Sequence, residues 1–180
     1  VGHSDFSRLK ESLSRETSAE GLKEAIQKIL STDSDTIRSI AETVLSSDMS
    51  ATVINEKETK YFTSLVEIYP DDPGLLLFLL MNFITLEPGD FLYVSPGVTH
   101  AYLRGNVVEI TSNSDNVIRC GLTPKHINVD EFFSIASFVS EQPQIQTPAE
   151  SVHTYESPTP FTLTRLNLNE ELEATLHGPE

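Results

Sequence analysis

His100 is the residue of this chain best placed for metal chemistry. It follows the turn Ser95-Pro96-Gly97-Val98-Thr99, just past the turn of an expected strand–turn–strand. A neutral ring nitrogen suits zinc, iron and similar ions. A zinc centre normally takes three or more protein ligands. His3, His126, His153 and His177 do not stand in ligand spacing with one another or with His100, and no His-x-His pair occurs. On residue type alone a lone histidine after a turn also reads as an ordinary hydrogen-bonded side chain. Further along stand the charged side chains Arg119, Glu109, Asp115 and Lys125, residue types that turns and surfaces supply freely. Each has a plain reading. Arg119 and Asp115, four apart in a loop, can pair and shape the turn, while Lys125 can be solvated and Glu109 can face water.

The elements that must position these groups change in texture along the chain. Residues 5–48 read as helices, with a short one from Phe6 to Leu13. Thr17 and Glu20 stand at capping-box spacing. Leu22, Ala25, Ile26, Ile29 and Leu30 then share a helical face, as do Ile37, Ile40, Ala41, Val44 and Leu45 behind a cap at Ser34 or Asp35. Such stripes serve core packing. After a polar break at 46–56, Phe62, Leu65, Val66 and Tyr69 mark another helix. Asp71-Asp72-Pro73 starts the next, whose apolar run is Leu75–Met81.

From Phe83 the pattern predicts short strands, Phe83–Leu86, Phe91–Val94, His100–Leu103 and Val107–Thr111, joined by Gly/Pro turns in the manner of a sandwich or jelly roll. Residues 112–126 form a polar loop, Val129–Phe138 a short helix capped by Asn128 or Asp130, and 140–160 a proline-bearing linker or extended crossing segment. Phe161–Leu168 alternates as a half-buried strand. No internal repeat is present.

Bulk properties bound the function. A formal net charge of −15 opposes a nucleic-acid or anionic-membrane surface, yet leaves room for a phosphorylated small molecule, which needs only one or two placed cations. No run reaches the roughly 18 apolar residues of a membrane span. Cys120 is the only cysteine, so no internal disulfide forms, and it reads as a small buried hydrophobe in a reducing, cytoplasmic setting.

Several stretches carry a family resemblance. The Gly89, Pro96, Gly97 and His100 turn resembles the second half of a cupin metal motif, with one residue fewer between proline and glycine and with Arg104 where asparagine is usual. Tyr69-Pro70, Leu75–Leu80, Leu86-Glu87-Pro88-Gly89, Thr99-His100-Ala101-Tyr102-Leu103 and the run Ser114-Asp115-Asn116-Val117-Ile118-Arg119-Cys120-Gly121-Leu122-Thr123-Pro124-Lys125 together look like a type I mannose-6-phosphate isomerase, closely over residues 60–140. That resemblance implies an α+β fold: a helical insertion over 1–56, the second half of a catalytic cupin jelly roll over 57–142, and a linker with the first strand of a C-terminal jelly roll over 143–180. It implies His100 as a zinc ligand, Arg119 as catalytic, and Tyr102, Glu109, Asp115 and Lys125 as pocket-lining residues. The reaction would interconvert mannose 6-phosphate and fructose 6-phosphate through an enediol, feeding GDP-mannose synthesis.

The family's other zinc ligands, a Gln-x-His pair and a glutamate in a Lys-Pro-Glu turn, have no match here. The resemblance therefore implies a fragment, inactive and weak in zinc by itself, with exposed sheet edges open to self-association. A non-catalytic cupin module that binds a sugar phosphate or a protein partner is the other reading.

Overall fold

The computed structural model describes residues 18–46, 54–113, 116–140 and 142–167. These fall into two compact units, one within 1–83 and 95–141, the other within 84–94 and 142–180. The mixture of helices and small antiparallel sheets is α+β.

The first unit is built on α1 (Ala19–Leu30), α2 (Ser34–Leu45), α3 (Glu56–Ile68) and α4 (Gly74–Phe78). Each of the first three starts where a side-chain oxygen accepts an otherwise unpaired N–H. Ser18 accepts from the Gly21 amide and Asp33 from the Thr36 amide. The cap of α2 is thus Asp33, one residue ahead of the expected Ser34. Thr17, the expected lead of the first capping box, lies outside the described residues, as do the Phe6–Leu13 helix, His3 and His177. At α3 the reciprocal box is complete: Glu58 N–H donates to Asn55 Oδ1 at 2.9 Å, and Asn55 N–H to Glu58 Oε2 at 2.7 Å.

The stripes pack as their spacing demands. Ile29 of α1, Ile37, Ile40, Ala41 and Val44 of α2, and Phe62 of α3 enclose Leu75, Leu76 and Leu77 of α4. Burying a side chain of this kind is worth about 1.5–3 kcal/mol. Helix α4 ends at Phe78 rather than running to Met81, because the Leu80 and Met81 amides turn back onto Leu77 and Phe78 in tight bonds of 2.9 and 3.2 Å. Met81 is left at the surface.

In the same unit α5 (Val129–Ile135) begins at Asn128, whose side chain accepts from Glu131 N–H. It stops short of the expected Phe138. Beyond it the Ser137 amide donates to the Gly97 carbonyl at 2.8 Å, and Val98 and Ser137 form an isolated parallel bridge. Gly97 has φ +80, and a Cβ there would meet the Ile135 carbonyl at 2.7 Å, so this turn requires glycine.

The second unit holds two antiparallel pairs. β1 (Phe91–Leu92) pairs with β2 (Ile145–Gln146), Phe91 opposite Gln146. β3 (Val152–Tyr155) pairs with β4 (Leu163–Leu166), Val152 opposite Leu166. Tyr155 is its buried anchor, stacked on Phe91 and donating its hydroxyl to the Gly89 carbonyl. The segment read as a linker therefore supplies β2 and β3. Of the expected early strands, Phe91–Val94 forms at two residues and Phe83–Leu86 is not a strand. His100–Leu103 and Val107–Thr111 form no ladder among the described residues, since backbone donors need a paired strand beside them. Val107 and Val108 stand 61% and 83% exposed.

Candidate functional site

All the described residues singled out by their chemistry lie in the first unit. His100 follows the glycine turn tied to Ser137, which fixes the start of its segment. The ring Nδ1 donates to the Val98 carbonyl at 2.9 Å. A carbonyl can only accept, so this bond assigns the proton to Nδ1 and leaves the Nε2 lone pair as the atom able to take a metal. The ring is exposed and meets Tyr102 edge-on at 5.8 Å.

Tyr102 in turn donates its hydroxyl to Glu109 Oε1 at 2.9 Å. The phenol is pushed above its ordinary range, first by partial burial, then by the hydrogen bond to Glu109 and by that carboxylate's charge. His100, Tyr102 and Glu109 thus form one contiguous exposed group, with a glycine turn at Gly105 (φ +136) between the last two.

Arg119 is held differently. It is half-buried, and among the described residues no hydrogen bond or ion pair engages its guanidinium. Its position comes from the backbone that follows. Cys120 and Leu122 pack against the helical core. One oxygen of Asp72, Oδ1, accepts from the Gly74 amide at 2.7 Å and the Leu122 amide at 2.9 Å. The sequence marks Asp72 only as a helix-start acid; its second bond, across fifty residues, has no local signal. Leu122 itself sits at φ +51, the left-handed region. Burial, and then the Asp72 charge, push the Cys120 thiol up to about 11, which makes it a poor nucleophile.

Lys125 is exposed, its amide donating to Thr123 Oγ1 at 3.2 Å. Asp115 lies outside the described residues. His126 is exposed too, and His153 sits on β3 against Tyr155. Among the described residues no group of three or more histidines, cysteines or acids could hold a metal ion. The described donors therefore do not by themselves fit a zinc centre. No helix among them is long and apolar enough to cross a membrane.

No protein-family model and no solved structure matches the chain. Curated proteins do. It is 46% identical over 72 residues to the mannose-6-phosphate isomerase of Salmonella typhimurium, covering 40% of the chain and 18% of that protein. It is 31% identical over 126 residues to a probable mannose-6-phosphate isomerase of Caenorhabditis elegans, covering 68% and 29%. With the mannose-6-phosphate isomerase of Bos taurus it shares 35% over 108 residues, covering 56% and 26%. Relatives of this name also occur in Emericella nidulans and Arabidopsis thaliana, so the similarity reaches bacteria, fungi, animals and plants. The chain spans less than a third of the length of each of these relatives.

Proposed function

We propose that this chain serves an aldose–ketose isomerase that interconverts mannose 6-phosphate and fructose 6-phosphate. The observation that carries the reading is the similarity to proteins of that name, 46% over 72 residues in one case. The half-buried Arg119, unengaged among the described residues, supports it.

In this reading a base removes the proton on C2 of mannose 6-phosphate, the electron pair forms the C1–C2 double bond of the enediol as the C1 carbonyl oxygen takes a proton, and loss of the O2 proton with return of a proton to C1 gives fructose 6-phosphate. Arg119 stabilises the negative charge that develops on the oxygens, or clamps the phosphate. Glu109 and Asp115 are the candidate bases. The Tyr102 hydroxyl on Glu109 orients that carboxylate, and Lys125 adds a cation for the phosphate. His100, with Nδ1 committed to Val98, would offer Nε2 to a zinc ion whose remaining donors come from outside the described residues. When bound, such an ion polarises substrate oxygens.

The same reading places the second half of a cupin jelly roll over 57–142, in which Val107, Val108 and Val117 stand exposed, and allows self-association through open sheet edges. It also places the activity in the cytoplasm, upstream of GDP-mannose synthesis.

A coupled assay with fructose 6-phosphate on the natural protein, metal retained, tests this. Turnover that falls at least about 100-fold in Arg119→Ala is expected. The 180-residue chain alone is expected to turn over little, as His100 is its one carried-over zinc ligand. Absence of turnover in the metal-loaded natural protein, with sugar phosphate still bound, overturns the isomerase in favour of a non-catalytic binding module.

A further inference from the structure

We propose that Asp72 is the positioning residue for Arg119. The inference rests on the role given to Arg119 above and extends it to a residue that acts through the backbone next to it.

Residues 116–122 have no helix or strand to fix them. A guanidinium on such a segment is useful only if its backbone is held, since reactive geometry tolerates little displacement. Three restraints converge just after Arg119. Asp72 Oδ1 takes the Gly74 and Leu122 amides together, joining the start of α4 to the loop. Gly121 lies backbone to backbone on Gly74, where a Cβ would come within 2.6 Å of the Gly74 Cα. Leu122 adopts φ +51, a conformation uncommon for a non-glycine residue that needs its surroundings to hold it.

Of the three, the Asp72 bond is the one polar tie. It runs from a half-buried acceptor to a half-buried amide. The helical core, anchored by Leu75 and Leu76 just beyond, is thereby made the platform on which Arg119 stands. The bonds need an oxygen acceptor and do not need a charge, because both partners are neutral amides. A carboxamide at position 72 satisfies them, and a methyl group does not.

The experiment compares wild type, Asp72→Asn, Asp72→Ala and Arg119→Ala by NMR. Fructose 6-phosphate titration reads binding, and hydrogen exchange reads the Leu122 amide. Asp72→Asn is expected to keep Leu122 protection and to bind within about threefold of wild type. Asp72→Ala is expected to lose Leu122 protection at least tenfold and to weaken binding at least tenfold, while the amides of α2 and α3 stay protected. Should Asp72→Ala fail to fold, Asp72→Cys, whose thiol is only a weak acceptor, replaces it with the same expected losses.

Wild-type binding by Asp72→Ala, or loss of binding by Asp72→Asn equal to that of Asp72→Ala, overturns the proposal. If no form binds fructose 6-phosphate while Leu122 protection still follows the presence of an acceptor, the clamp stands and the sugar-phosphate reading of Arg119 falls. Unchanged Leu122 protection in Asp72→Ala overturns the clamp whatever binds.

Discussion

Gly74 and Gly121 meet backbone to backbone: a Cβ built on Gly121 lies 2.6 Å from the Gly74 Cα and 2.8 Å from its nitrogen. Neither atom belongs to a flexible side chain, so neither can swing aside. Gly121→Ala is predicted to destabilise the first unit by about 1–3 kcal/mol, the usual cost of forcing extra volume into a filled site. Urea denaturation followed through helical circular dichroism checks it. An unchanged midpoint would show that the loop can lift from the helix start at no cost, and with it that Arg119 is not held there.

Cys120 gives a pH-dependent prediction. Its thiol is raised to about 11 by burial first and by the Asp72 charge second. The folded chain therefore holds this proton more tightly than the unfolded one. The stabilisation is fully present below the ordinary thiol range and is lost as pH rises from 9.0 through about 11. Alkylation near neutral pH is expected to be slow and to accelerate only toward that range. Asp72→Asn removes the smaller cause, so the thiolate absorbance should appear at lower pH than in wild type but still above an unburied cysteine. A midpoint at the ordinary thiol value in wild type would contradict the packing of Cys120 on the core.

Tyr102 and Glu109 can be separated in the same manner. Glu109→Gln keeps an oxygen for the phenol to donate to and deletes the charge. The Tyr102 pKa is expected to fall part of the way toward its ordinary value, because partial burial, the first cause of the upward shift, remains. The sign follows from the carboxylate disfavouring a second negative charge beside it. NMR titration of the ring resonances gives the answer, and an unchanged Tyr102 pKa in Glu109→Gln would show that the two side chains are not neighbours in solution.

How far these relationships were visible in the sequence depends on their range. Ile37, Ile40, Ala41 and Val44 announced their face because helical periodicity is local, and all four are buried. The α5 cap at Asn128 was legible for the same reason. The strands were harder. Val107, Val108 and Ile110 carry strand-like side chains, but a ladder depends on a partner that no local pattern names, and none pairs with them among the described residues. Ile145–Gln146 and Val152–Tyr155 were hidden by the prolines around them and became strands through Phe91–Leu92 and Leu163–Leu166. At the site, His100, Tyr102, Glu109 and Arg119 could be chosen by residue type and resemblance. Asp72 could not, since its decisive bond to Leu122 spans fifty residues.

Helix α3 offers a final test in which one element carries its own control. Its faces differ sharply: Phe62 is 0% exposed, whereas Ile68, near its C-terminal end, is 65% exposed. Phe62 meets Phe78 of α4 with ring centroids 5.6 Å apart, and α4 leads back to Asp72 and the Leu122 amide. Phe62→Ala removes a ring from a filled interior and is predicted to cost about 3–5 kcal/mol, transfer and cavity together. Ile68→Ala changes a surface position and should stay within about 0.5 kcal/mol. Denaturation midpoints measure both. If the Phe62 argument holds, sub-lethal trimming at this position, Phe62→Leu, should also speed hydrogen exchange at Leu122, because the acceptor that protects that amide rides on the helix start Phe62 supports. Equal midpoints for Phe62→Ala and Ile68→Ala would mean that α3 does not present the face assigned to it, and that the platform beneath Arg119 is built otherwise.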